Sequence, residues 1–284
     1  MTFFILAAGY GKRAEPLSRI RPKPAFPLDG TPLVRRLLRH LRALGCRKGL
    51  INLHHLGDQV VAAAGPAAGI RFIQEEEPSG SRVLRRALPF FSEWLLVVNG
   101  DTLFEVPLAE MARRAADPQV DGVLAVRGDA SGRYARLLCS GDEFLESAAP
   151  RAGPGLMYAG AALFRRRAVS RIDDGSFFSS IRRHRLRFKV VACAGAWLDV
   201  GTPASYFQAN WDCMAWRGRG RENALCRRVA ISSRAHVEHS VLWEGTRIGP
   251  GARLSQCIVT GDLELKDASY CGQIVSRLGV FPLF

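Results

Sequence analysis

The chain is short of lysine, of paired cysteines and of long apolar runs. Of its 284 residues, 40 are Lys or Arg but only five are lysines, so its basic character rests on arginines scattered from Arg13 to Arg277. Against 26 Asp and Glu they leave a formal charge of +14. That sign suits anionic partners such as nucleotides, sugar phosphates, nucleic acid or acidic lipid, and suits a solvated basic surface equally well. Aromatic residues are not interleaved with the basic positions and no recognition motif is present, so no nucleic acid partner is expected. Seven cysteines, odd in number and without a C-x-x-C pair, exclude a disulfide framework and a zinc knuckle and fit a reducing, cytoplasmic setting. No stretch approaches the roughly 20 apolar residues of a membrane span. The apolar start from Phe3 to Ala8 is too short for a signal sequence and lacks a basic lead, so a soluble protein with no membrane partner is expected.

What is present is a large apolar fraction, 48%, enough for one large domain or two unequal ones. The first 130 residues alternate short apolar runs with amphipathic segments, the pattern of strands and crossover helices in an α/β sheet that is mostly parallel. Strands are expected at Phe3 to Ala8, Leu50 to His54, Ile70 to Gln74, Trp94 to Asn99 and Gly122 to Val126. Leu33, Leu37, Leu38, Leu41 and Leu44 recur at helical spacing, with Gly45 where a C-terminal cap belongs. From Tyr134 to about Val200 the helical rhythm weakens, with strand-like runs at Met157 to Phe164 and Phe188 to Cys193, so a mixed lobe should wall one side of a cleft. A helix is expected over Pro203 to Trp216, and the polar run Arg217 to Asn223 reads as a linker.

Beyond residue 223 the composition changes. Ile231 and Val237 are six apart, as are Ile248 and Leu254, and Ala235, Val241, Ala252 and Ile258 follow these four after four more positions. Ile231 to Ile248 spans one three-sided coil of hexapeptides, so two or three coils of a short left-handed parallel β-helix are expected, with an irregular antiparallel tail as the alternative. So few coils argue against acyltransferase chemistry and suit a role in pairing subunits, so a homo-oligomer is expected. The expected division is 1–216 for a catalytic domain and 217–284 for linker and coils, with the apolar ending Leu278 to Phe284 buried against the domain or another subunit.

Three segments carry chemistry. Leu6-Ala7-Ala8-Gly9-Tyr10-Gly11-Lys12-Arg13 sets two glycines directly after a buried strand, where backbone amides can approach a phosphate; an ordinary tight turn explains G-x-G as well. It is neither a dinucleotide G-x-G-x-x-G nor a P-loop. Asn99-Gly100-Asp101 follows an apolar strand, so Asp101 should emerge where open α/β sheets bind ligands, or serve a turn. Asp199 precedes Gly201-Thr202-Pro203 and, taken alone, reads as a cap of the helix that starts at Pro203, a reading compatible with a further role. Lys23, between Pro22 and Pro24, is either aimed into the site or solvated. His54 and His55 at a strand end suit packing more than ligand contact.

With Arg13-Ala14-Glu15-Pro16-Leu17-Ser18, Arg21-Pro22-Lys23-Pro24 and Pro27-Leu28-Asp29-Gly30-Thr31-Pro32-Leu33 added, the chain resembles the sugar-phosphate nucleotidyltransferase family, over about residues 3 to 210. The resemblance implies a Rossmann-like domain that takes an NTP and a sugar 1-phosphate with Mg²⁺ and makes an NDP-sugar and pyrophosphate. It implies that Leu6, Ala8, Gly9, Gly11, Asn99 and Gly100 meet the nucleotide, that Arg13 neutralises departing pyrophosphate and that Lys23 holds phosphate oxygens. Asp101 and Asp199 (in Trp197-Leu198-Asp199-Val200-Gly201-Thr202-Pro203) would bind the metal. Glu76 and Gly80, in Glu75-Glu76-Glu77-Pro78-Ser79-Gly80-Ser81, stand for the nucleobase loop, although Arg82 and Val83 replace its small residues. Glu146, Tyr158 and Gly160 stand for the sugar pocket. The lysine of the family's E-K-P segment is missing, with Arg136 or Arg151 as substitutes, which makes the chain more similar to the N-acetylmuramate 1-phosphate uridylyltransferase and mannose 1-phosphate guanylyltransferase branches. The alternative is a catalytically degenerate subunit that binds a nucleotide-sugar in a regulatory or assembly role.

Overall fold

In a computed structural model of the protein, residues 1–218 and 222–284 are described. A nine-stranded sheet runs in the order 70–74, 48–53, 2–6, 94–99, 155–165, 122–129, 188–192, 143–148, 136–140. Strands 155–165 and 143–148 oppose the other seven, so the sheet is mostly parallel in direction while its antiparallel members interrupt the parallel run. The fold class expected from the apolar rhythm stands.

Period-two alternation explains how one sheet serves two cores. Phe3, Ile5, Leu96 and Val98 face one cluster; Phe4, Leu95 and Val97 face the other. The helix Leu33–Ala43 lays Leu33, Val34, Leu37, Leu38 and Leu41 on the first face, and Gly45, at φ 81°, ends it as the sequence suggests. Two strands, Arg136–Ser140 and Glu143–Ala148, were not legible because their exposed faces leave weak alternation. They extend the edge of the same nine-stranded sheet, so the expected mixed lobe continues that sheet instead of standing beside it.

The C-terminal segment is three-sided. Ala224, Val241 and Ile258 stand over one another at seventeen-residue steps, and Ile274 follows after sixteen. Ile231 and Ile248, the two ends of the expected coil, are ladder neighbours on a second side, and Val237 and Leu254 are so on the third. Parallel ladders on all three sides are the β-helix architecture, and only the hairpin 273–276 with 279–282 is antiparallel. Of the run 217–223 read as a linker, residues 219–221 lie outside the described residues; Asn223 already belongs to the coils, its side chain bonded to Val237 and Ser240.

One side of the coils joins the main core. Ala224, Val241, Trp243, Ile258 and Ile274 share a cluster with the sheet and with the helix Pro203–Trp216. Trp243 is fully buried against Phe26 and donates to the Tyr206 hydroxyl (2.9 Å), which donates to the Pro27 carbonyl (2.7 Å). In the apolar ending Leu283 is buried, whereas Phe284 is 72% exposed although its ring touches Phe207.

Candidate active site

A cavity of about 340 Å³ opens at the carboxyl end of strands 2–6 and 94–99. Its wall includes Leu6, Ala8, Gly9, Gly11, Lys23, Gly80, Asn99, Gly100 and Asp101, nine of the residues singled out in the sequence, together with Asn52 and Glu75. Parallel strands that leave one edge together and turn into loops create this hollow. Gly11 sits at φ 69°, and a Cβ there would stand 2.9 Å from the Ser18 Cβ and 3.5 Å from the Lys23 Cγ; its bareness lets the glycine loop fold down onto the lysine stem. Gly100 is equally constrained, since a Cβ would meet the Leu6 carbonyl oxygen at 2.5 Å.

Lys23 is 9% exposed, and its Nζ lies 3.3 Å from Asp101 Oδ2. A solvated lysine is therefore excluded. Asp101 and Asp199 come from different parts of the chain but meet because strand 197–199 pairs antiparallel with 102–104, and the Val200 amide donates to the Asp101 carbonyl (3.2 Å). Asp199 does not cap the helix that follows; Thr202 does, in a capping box with Ser205. Burial, then the charge of Asp101, holds the Asp199 carboxyl above the usual carboxylate range, with the Tyr134 hydroxyl, Lys23 and Arg13 opposing. Arg13 is exposed on a 3₁₀ turn, yet near enough for its charge to be felt at Asp199.

Two acidic groups drawn together, one of them disfavoured as an anion, are oxygen donors of the kind that would suit a hard divalent cation. Among the described residues there is no group of three or more His, Cys, Asp or Glu able to hold a metal, so an ion here would take its remaining ligands from phosphate oxygens and water.

Of the residues that fix these groups, Tyr134 was not singled out as a site residue from the sequence. Tyr134 donates to Asp199 Oδ2 (3.0 Å), with its own hydroxyl proton retained up to about 12 by burial and then by the Asp199 charge. Trp197 packs edge-on against Tyr134, carries Arg127 over its ring, and donates to the Ala159 carbonyl (2.7 Å). Asn52 accepts from the Ala7 amide (2.7 Å) and donates to Glu75 (2.7 Å), which in turn accepts from the amide and hydroxyl of Ser79. That chain of bonds ties the glycine loop to the 75–80 loop. His54 reinforces it through the Glu75 carbonyl and the Tyr10 hydroxyl, and His55 lies 3.3 Å from the Ser18 carbonyl; both histidines hold loops.

Other expected site residues stand apart from the cavity wall. Glu76 is exposed in the bend beyond strand 70–74, and its buried neighbour Glu75 takes the inward position, held there by Asn52 and Ser79. Arg82 does not crowd the hollow; it pairs with Asp174 (3.0 Å) at the surface, and Val83 is buried. Glu146 faces Arg182 (3.7 Å) on strand 143–148. Tyr158 packs its ring on Phe177 and Phe178, its buried hydroxyl without a partner among the described residues. Gly160, at φ 107°, lies behind the wall, where a Cβ would meet Thr102 Oγ1 at 2.6 Å. Arg136 is spent on the carbonyls of Gly153 and Pro154, and Arg151 is exposed.

Residues 3–175 match the MobA-like NTP transferase domain. The chain belongs to this family. Residues 211–275 match the GlmU-like C-terminal hexapeptide region, in agreement with the coils. The chain is similar to proteins of known name: N-acetylmuramate alpha-1-phosphate uridylyltransferase of Neisseria meningitidis serogroup B is 28% identical over 245 residues, covering 76% of this chain and 100% of that protein. Mannose-1-phosphate guanylyltransferase of Mycobacterium tuberculosis is 24% identical over 282 residues, covering 90% of this chain and 78% of its own. The crystal structure of HddC from Yersinia pseudotuberculosis, complexed with GMP-PN, shares the fold, with a TM-score of 0.66 at 23% identity over 75% of this chain and 99% of that one.

Proposed function

We propose that the protein is an Mg²⁺-dependent sugar-1-phosphate nucleotidyltransferase that works in the cytoplasm. The observation that carries this reading is the pairing of Lys23 with Asp101 in the wall of one cavity beside a bare glycine loop, with Asp199 outside that wall but close enough for the charge of Asp101 to be felt at its carboxyl. Glycine-loop amides and Arg13 bind the β- and γ-phosphates and neutralise charge as pyrophosphate leaves. Lys23 holds an oxygen of the α-phosphate, and Tyr134 keeps Asp199 turned toward Asp101. A phosphate oxygen of the sugar 1-phosphate attacks the α-phosphorus in line; the bond to the bridging oxygen breaks, and pyrophosphate takes its electron pair. No general base is required, because a phosphomonoester is already anionic near neutral pH. When bound by Asp101 and Asp199, Mg²⁺ supplies Lewis-acid polarisation of the phosphate.

The Asn52–Glu75–Ser79 chain positions the loop assigned to the nucleobase, and the lobe around Tyr158 and Gly160 is assigned to the sugar. The names of the two relatives suggest UTP with N-acetylmuramate 1-phosphate and GTP with mannose 1-phosphate as the first pairs to try. All seven cysteines are free, which suits a reducing compartment. We also infer a homo-oligomer paired through the coils, for which sedimentation at micromolar concentration should give a mass above one chain. The deciding experiment is a pyrophosphate-release matrix of four NTPs against the 1-phosphates of mannose, glucose, N-acetylmuramate, N-acetylglucosamine and heptose. Release that needs NTP, sugar phosphate and Mg²⁺ together supports the reading. An empty matrix alongside calorimetric binding of nucleotide-sugar would replace it with a non-catalytic subunit.

A further inference from the structure

A second cavity is larger than the one described above. A hollow of about 650 Å³ lies where the sheet domain meets the coils, with Arg21, Arg35 and Arg39 on one wall and Arg227 and Arg277 on the other. Only two acidic side chains, Glu244 and Asp262, line it, so five guanidinium groups face two carboxylates. Its size is that of a small-molecule site. Trp243 forms its floor, with Arg21 stacked on the ring (4.5 Å) and paired with Glu244 (2.8 Å). Among the described residues the remaining arginines leave most of their donors without a protein acceptor: Arg35 spends one nitrogen on the Ala63 carbonyl (3.0 Å), and Arg277 makes one long contact with the Asp262 carbonyl (3.4 Å). Arg39, Arg227 and Arg277 are exposed at the mouth.

Planar guanidinium forks gathered from separate elements suit phosphate groups better than any neutral ligand, and two walls of such forks suit a molecule with a phosphate at each end. We propose that this cavity binds a small bisphosphorylated anion, and that its occupancy is coupled to the catalytic cavity. The coupling element is the segment 17–25. Ile20, Arg21 and Ala25 line the interdomain hollow, whereas Lys23 and Pro24, between them in sequence, line the catalytic one. Gln59, also on the interdomain wall, donates to the Ile20 carbonyl (3.2 Å), and His55 contacts the Ser18 carbonyl, so both ends of this wall are anchored to one neighbouring helix region. A phosphate that draws Arg21 from Glu244 therefore acts on the chain two residues from the lysine that holds Asp101. The binding site stands on its own geometry, while the coupling rests on the catalytic reading.

The test is calorimetry on the full chain with 2,3-bisphosphoglycerate as probe, with and without a non-hydrolysable NTP and Mg²⁺. One site per chain is expected, weakened at least tenfold in an R39E/R277E double variant, which changes only exposed side chains, and unchanged in D101N. With the NTP analogue present, the probe's affinity should shift at least threefold to a limiting value, and reciprocally for the nucleotide. Absence of saturable binding, or binding insensitive to R39E/R277E, would overturn the site. Simple competition without a limit would place the probe in the catalytic cavity. A probe affinity unmoved by nucleotide would overturn the coupling while leaving the site, and none of these outcomes depends on turnover.

Discussion

Around the catalytic cavity no two groups hold their places by the same contact, whereas in the coils one contact recurs at every turn. Lys23 is held by Asp101, Asp199 by Tyr134 and the glycine loop by Asn52. In the coils, by contrast, Val237, Leu254 and Tyr270 are successive rungs of one ladder. The difference separates two kinds of vulnerability. A site of unlike contacts fails one function at a time and leaves the fold standing, while a ladder of like contacts has no chemistry to lose and fails by melting.

The sharpest way to break that comparison is a pair of substitutions. Asp101→Asn should lower kcat/KM by about 10³-fold, on the order of what one preorganised electrostatic group supplies, with unfolding in urea almost unchanged. Leu254→Ala, in the small core internal to the coils, should cost about 2–4 kcal/mol in the same denaturant titration, while turnover per folded molecule is kept. Activity lost in both, or stability lost in both, would dissolve the distinction. Tyr134→Phe sharpens it further: kcat/KM should fall about tenfold, a loss near 1.4 kcal/mol, because the variant keeps the ring packed on Trp197 but frees the Asp199 carboxylate. The smallest effect has the opposite sign. With metal removed by EDTA, Asp199→Asn should raise Tm by about 2 °C, because it relieves a buried charge beside Asp101 that the fold holds at a cost, while the amide oxygen still accepts from Tyr134. A fall in Tm would show that the carboxylate itself is stabilising.

The parts legible in the sequence are those governed by local rules. Short apolar runs marked the strands at 70–74 and 94–99, helical spacing marked 33–43, and the hexapeptide rhythm marked the register of Ile231 with Ile248. Lys23, Asp101 and Asp199 were legible because short motifs enclose them. Tyr134 was not, since it lies in a turn held by Asp129 and reaches Asp199 only through tertiary pairing 65 residues away. The choice between Glu75 and Glu76 turned on which of them meets Asn52 just past the strand end, which a run of three acids conceals. The cavity between sheet and coils was invisible for a stronger reason: its five arginines come from four separate stretches of chain, and each one alone reads as a solvated basic residue.

Strand 155–165 shows how such an assembly tolerates change. Tyr158 stands opposite Val126 but Ala162 opposite Leu124, so the chain takes two extra residues around Gly160. Because the detour is even, Tyr158 and Phe164 still look toward one core and Ala159 and Leu163 toward the other. Insertions and deletions at this point are therefore quantised: a change of two residues reshapes the ground behind Asn99 with both cores intact, and a change of one turns half the strand inside out.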